Sequence, residues 1–329
     1  MSVVLCEDLK LDASQINTEE YMKDYIKIAR IDHWIKNLFI IPGIAVAILL
    51  LNVKISSINI LSLIIGFLST CFIASANYVI NEWLDAEFDK YHPTKKYRPV
   101  VGGNVKFKFV ITEYFIFAIL GIALSLFINY LFVITELWLL LMGIIYNVKP
   151  LRSKDIIFLD VLSESINNMI RLLLGWFLIT SNAFPPVSIL IGYWMAGAFL
   201  MGTKRLAEYR MIGNPETAGL YRKSFKYYTE KTLFGSSFFY ALCSTFCIGI
   251  FLVKYRIEYV LGMPFMFFLF SYYVMMAFDE DSAVQKPEKL YKEKKLLLLV
   301  GLVVVILALL TVIDIPALHS FSDPYLINF

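Results

Sequence analysis

The sequence predicts an all-α membrane protein, a bundle of nine transmembrane helices with its N-terminus on the cytoplasmic side. Three observations predict it. The 329 residues are 59% hydrophobic and only 17% charged, against about 45–50% and about 25% in soluble domains. Apolar stretches of spanning length recur nine times. The basic residues alternate from side to side in step with them. A mean hydropathy of +0.67 excludes disorder, which needs low hydrophobicity and high net charge. The formal net charge of +3 offers no bulk attraction for nucleic acid.

Residues 1–22 are polar and mixed in charge, without the basic start, apolar core and small-residue cleavage site of a signal peptide. They are read as a polar tail, and residues 23–36 as an amphipathic or interfacial helix. The remainder, 23–329, reads as a single transmembrane domain. A spanning helix needs about 20 mostly apolar residues. The sequence has such stretches at 37–53, 58–80, 108–128, 130–147, 156–180, 185–203, 233–253, 258–278 and 296–316. Backbone hydrogen bonds unmade in lipid make each of them a helix. Position 129 and residues 181–184 read as tight joints between neighbours.

Alternating sides from a cytoplasmic N-terminus places 26 of the 30 Lys and Arg residues in the cytoplasm. Only Lys54, Lys254 and Arg256 fall on the other side, and Arg171 lies inside a span. This is the positive-inside pattern. Cys6, Cys71, Cys243 and Cys247 show neither metal spacing nor a disulfide framework, and read as packing residues.

Polar groups inside spans are costly and point to function. The second span ends in Asn81, Asp85 and Asp89, at i, i+4 and i+8. A helix puts these on one face, successive members about 6 Å apart. Two like charges there repel, and a divalent cation resolves the conflict. Two carboxylates and an amide oxygen suit Mg²⁺, which keeps waters and adds substrate phosphate oxygens. The bland alternative is a solvated helix end. The loop that follows carries His92, Pro93, Lys95, Lys96 and Arg98. Acids that hold a metal followed by cations that neutralise phosphate describe a diphosphate site, although a plain positive-inside loop also accounts for the charges.

The fifth span carries a second stripe, Asp160, Glu164, Asn168 and Arg171, with Lys154 and Asp155 at its mouth. Arg171 is deep and needs a partner: Glu164, Asn168 or an acid on another helix. The sixth span ends in Lys204, Arg205 and Glu208, the first and last sharing a face. Trp34, Lys36 and Asn37 stand at the same interface before the first span.

Asn81–Asp85–Asp89 at the end of the second of nine helices resembles the first metal motif of the UbiA superfamily of membrane prenyltransferases. The resemblance covers about residues 28–310. Adding Trp34-Ile-Lys36-Asn37, His92-Pro93-Thr94-Lys95 with Arg98-Pro99, Leu159-Asp160-Val161 with Arg171, Lys204-Arg205 with Ala207-Glu208, and Pro287-Glu288 makes the chain most similar to the branch that includes decaprenyl-phosphate phosphoribosyltransferases. It departs from that branch at Glu82, where Asp is common, and in the polar run Ser163-Glu164-Ser165.

The resemblance implies Mg²⁺-dependent transfer of 5-phosphoribose from phosphoribosyl diphosphate to a polyprenyl phosphate, at a cell-membrane site facing the cytoplasm, as a step towards cell-wall glycans. Asp85, Asp89 and Asp160 are then the catalytic carboxylates, with Asn81, Asp85, Asp89 and Asp160 as metal ligands. Lys36, Asn37, His92, Lys95, Arg98, Arg171, Lys204, Arg205 and Glu208 would bind the phosphorylated substrates. Two rivals stay open. One is prenyl transfer from a prenyl diphosphate to an aromatic or quinone-precursor acceptor. The other is lipid or solute transport, which the absence of repeats and of broken helices disfavours.

Overall fold

The structure is a computed structural model that describes residues 23–319, except 104, 280–281 and 286. The tail at 1–22 and Cys6 lie outside the described residues. All regular elements among the described residues are helical. The expected helix over 23–36 is not continuous. Residues 23–28 are helical, Arg30 breaks the run at φ 50°, and a tight 3₁₀ stretch over Ile31–Ile40 leads into α1, Ile41–Leu51.

The long helices that follow are α2 (Ile60–Asp89), α3 (Phe107–Ser125), α4 (Tyr130–Asn147), α5 (Leu159–Ile179) and α6 (Val187–Ile212). A short α7 (Pro215–Tyr221) precedes α8 (Glu230–Tyr255), α9 (Met263–Met276) and α10 (Lys294–Val312). Local chemistry sets several ends. Asn59 accepts from the N–H groups of Leu61 and Ser62 and starts α2. Asn129 accepts from Phe132 and makes the expected sharp joint before α4. Gly213, at φ 69°, stops α6 in the left-handed conformation.

Among the described residues, eight helical stretches are long and apolar enough to cross a membrane. The stretch expected as the fifth span, α5, is not among them, because Asp160, Glu164 and Arg171 interrupt it. It lies instead at the centre of the bundle, with thirteen of its 21 residues buried, packed by α1, α4 and α6. α1 meets it at backbone distance. A Cβ on Gly43 would stand 2.0 Å from the carbonyl oxygen of Leu172, and one on Gly175 2.0 Å from that of Ile40. This close approach through small residues is the packing available where lipid offers no hydrophobic drive.

Two apolar cores flank α5. One gathers Phe199, Leu206, Tyr240 and Tyr273, the other Ile40, Ile73, Phe132 and Trp176. Outward-facing Phe115, Ile119, Leu298 and Val304 are all more than half exposed, as expected of a surface that meets acyl chains. Cys71 is buried, Cys243 and Cys247 are half-buried, and all three are free thiols.

Candidate active site

The end of α2 reaches past its apolar part, and Asn81, Asp85 and Asp89 all line one cavity of about 1160 Å³. The i, i+4, i+8 face is therefore real. Its acids are met by cations from two loops. Asp85 pairs with Arg152 at 3.1 Å and with Lys154. Asp89 pairs with Arg98. Asn81 donates its amide to Asp85 at 3.0 Å and to Asn147 at 2.6 Å. Lys154 also donates to Asn147. Burial pulls the Lys154 ammonium down to about 8, against the pull of Asp85.

The loop after α2 folds back over this face. The Nδ1 of His92 accepts the backbone N–H groups of Thr94 and Lys95, both at 3.2 Å. That fixes the neutral tautomer with its proton on Nε2, and Nε2 is buried without a partner. Burial first, then the nearby Lys95, pushes the imidazole pKa down to about 3. Lys95 crosses to Glu208 of α6 at 2.9 Å and to the Tyr221 hydroxyl. Burial works against the Lys95 charge, but Glu208 and Tyr221 outweigh it and hold the pKa above the ordinary lysine value. Asp89 and Glu82 do the same for Arg98. Glu82 is itself gripped by Arg30, whose Nε and NH2 both reach Oε2, at 3.1 and 2.8 Å.

The stripe on α5 divides. Glu164, Asn168 and Arg171 line the cavity. Asp160 does not, and this corrects its expected place as a catalytic carboxylate and metal ligand beside Asp85 and Asp89. It is fully buried behind the wall. It accepts from Tyr228 at 2.8 Å and Ser224 at 3.0 Å, with Arg205 and Arg222 at 3.7 and 3.8 Å. Four neighbours already use its oxygens. Arg205 also binds Glu208 at 2.9 Å, the Tyr146 hydroxyl at 3.2 Å, and Glu164.

Neither Glu164 nor Asn168 bonds Arg171 directly; its hydrogen-bond partners lie elsewhere, and Glu136 on α4 is the acid within electrostatic range. The Arg171 Nε donates to the Asn37 side chain at 2.9 Å and its NH1 to the Asn167 carbonyl at 3.2 Å. Asn37 is buried, donates to Cys71, and is not on the cavity wall; it orients Arg171 from behind. Lys36 and Lys204 do line the cavity. Trp34 donates to Ser75, tying the 3₁₀ stretch to α2.

Several residues here escaped the sequence reading. Arg152 and Arg222 were indistinguishable from other basic loop residues. Arg222 lines the cavity and donates to Tyr146. Asn147, an amide ending an apolar run before a proline, was a visible signal. So was Glu136, an acid in mid-span, buried against Thr70 and Ser69.

The donors on the α2 face are all oxygen, which suits a hard divalent cation. Among the described residues no three His, Cys, Asp or Glu side chains gather as a ready metal cage. The two carboxylates and the Asn81 amide could hold such a cation only together with oxygens from a ligand.

Known proteins share this architecture. A homologue of UbiA from Archaeoglobus fulgidus bound to GPP and Mg²⁺ superposes with a TM-score of 0.66 at 17% identity, covering 87% of this chain and 99% of that one. A structure of digeranylgeranylglyceryl phosphate synthase gives a TM-score of 0.58 at 18% identity, covering 89% and 97%. Among curated sequences, decaprenyl-phosphate phosphoribosyltransferase of Corynebacterium glutamicum is 38% identical over 80 residues, 24% of this chain and 23% of that protein. The nodulation protein NoeC of Azorhizobium caulinodans is 27% identical over 203 residues, 61% of this chain and 62% of that one. The first of these curated relatives is matched over about a quarter of its length. The family model described as the UbiA prenyltransferase family matches residues 39–292. With that match over most of its length, and with the fold and acidic face above, the chain belongs to the UbiA prenyltransferase family, a family of multi-pass membrane transferases.

Proposed function

We propose that this protein transfers 5-phosphoribose from phosphoribosyl diphosphate to a polyprenyl phosphate, releasing diphosphate, with Mg²⁺ as cofactor and with its site open to the cytoplasm. The observation that carries the reading is the cation surplus on the cavity wall. Lys95, Arg98 and Arg205 on that wall meet acids, and Arg171, Lys204 and Arg222 face the same space. One diphosphate and its metal do not call for that much positive charge. Two phosphorylated substrates do. The partial likeness to decaprenyl-phosphate phosphoribosyltransferases points the same way.

Asp85 and Asp89, with the Asn81 amide oxygen, would hold the Mg²⁺, which supplies charge neutralisation for the departing diphosphate. Arg98 and Lys154, which hold those carboxylates, would be available to phosphate oxygens in a low-dielectric space, where their charge counts most. His92 offers its unpaired Nε2–H to the same group. The bond from ribose C1 to the diphosphate oxygen breaks, C1 carries the developing positive charge, and an acceptor phosphate oxygen attacks it. A lipid phosphate is already ionised at neutral pH, so no side chain has to remove a proton. Glu164, oriented by Tyr146 at 2.8 Å, is the acid on the wall best placed to balance the cationic carbon.

The rival reading is prenyl transfer to an aromatic acceptor, the diphosphate being on the lipid. Membranes containing the protein, given labelled phosphoribosyl diphosphate, Mg²⁺ and polyprenyl phosphate, should yield labelled lipid with the mass of a polyprenyl phosphoribose phosphate. Label that stays wholly aqueous, with an aromatic acceptor prenylated instead, would overturn the assignment.

A further inference from the structure

Glu136 is an acid in the middle of α4 that the mechanism above leaves unused. It is fully buried and faces α2 rather than the cavity. Its Oε1 accepts from the Thr70 hydroxyl at 2.5 Å and stands 3.4 Å from that of Ser69. Ser69 lies closer to the Gly121 carbonyl of α3, at 2.8 Å, and gives its proton there. One good hydrogen bond thus serves the whole carboxyl group, and Oε2 has no partner among the described residues. An acid placed so at mid-span is costly unless a positive charge balances it.

The cation within electrostatic range is Arg171 on α5. The side chains between them form a line. Thr70 precedes Cys71 in α2, Asn37 donates to the Cys71 Sγ at 3.2 Å, and the Arg171 Nε donates to Asn37 at 2.9 Å. The Cys71 thiol feels both charges. Arg171 itself makes no direct ion pair among the described residues. Of the five N–H groups a guanidinium carries, Asn37 and the Asn167 carbonyl take one each, and Arg171 borders the cavity. A carboxylate in contact would occupy that fork. One held behind α2 side chains lowers the cost of burying the cation and leaves its other donors free.

We propose that Glu136 is a positioning residue, the remote counter-ion of Arg171, which balances the guanidinium from behind the wall and leaves its open N–H groups to a substrate anion. The part that concerns substrate rests on the phosphoribosyl reading; the pairing of the two charges does not.

The test uses the full-length protein in nanodiscs at pH 8.5, where carboxyl groups are ionised, and reads two quantities. The first is the unfolding midpoint without ligand. Glu136→Gln and Arg171→Gln should each lower it, and the double variant should lose clearly less than the two losses added, because it leaves neither charge unbalanced. The second is affinity for polyprenyl phosphate and, with Mg²⁺, for phosphoribosyl diphosphate. Whichever anion Arg171→Gln weakens should bind Glu136→Gln about three- to tenfold more tightly, since Arg171 then presents its charge unopposed. A residue that served packing alone would not tighten an anion when replaced. Thr70→Val, which removes the hydrogen bond and keeps the charge, should cost stability without tightening either anion. Additive midpoints, or an anion held equally or more weakly by Glu136→Gln, would overturn the proposal. Non-additive midpoints with neither anion sensitive to Arg171→Gln would sink the phosphate role of Arg171 in the proposed reaction and leave the charge pair standing.

Discussion

The Tyr228 hydroxyl donates to Asp160 at 2.8 Å, and this bond helps hold the carboxylate behind the cavity wall rather than on it. Asp160→Asn should therefore act on stability. It would leave Arg205 and Arg222 short of a counter-charge, and breaking a buried charge cluster costs about 3–5 kcal/mol. The expected outcome is a lower unfolding midpoint with an unchanged Mg²⁺ concentration for half-maximal activity. A large rise in that Mg²⁺ requirement would return Asp160 to the metal.

Asp85 and Asp89 differ from it in facing the cavity. Asp85→Asn and Asp89→Asn should each reduce turnover by about 10²–10³-fold or more, the scale seen when one charge-stabilising group is removed from an active site. Both variants should insert and purify normally. Wild-type-like rates in both, measured at saturating Mg²⁺, would refute the metal face.

Glu82 ties Arg30 to α2 through two hydrogen bonds, and stands 3.9 Å from Arg98. Arg98 in turn holds Asp89. Glu82→Gln should loosen Arg98 and raise the apparent KM for the diphosphate substrate several-fold, with a smaller change in kcat. Glu82→Asp should be milder. An unaltered KM in the Gln variant would show that Glu82 serves only the packing of the N-terminal segment.

His92 bears on pH dependence. Its pKa lies near 3, lowered by burial and by Lys95. A downward shift of a base favours the neutral ring, so His92 stays uncharged at every working pH above about 3. Nitrogen NMR of labelled histidine should show a neutral Nε2–H tautomer for His92 from pH 5 to 8. A ring that titrates with a midpoint near 6.5 would contradict this buried arrangement.

Eight of the nine expected apolar stretches were legible because each needs only its own residues to satisfy its backbone in lipid. The α2 face was legible for a similar reason: positions four apart on a helix share a side whatever surrounds them. The same rule misled at α5, where Asp160 belongs to the stripe by spacing yet ends beneath it. Spacing says which side of a helix a residue occupies, not which neighbour covers that side. Here Ser224 and Tyr228, from the segment before α8, take the coverage.

Composition and period thus determined the membrane environment, the helical class and the acidic face, since these follow from solvation and from helix geometry alone. Tertiary structure decided which cation meets which acid. Lys95 reaches Glu208 across 113 residues of chain, and Arg171 reaches Asn37 across 134. Such pairings depend on how helices pack and where loops return, and packing is a property of the assembled bundle that no local run of residues contains.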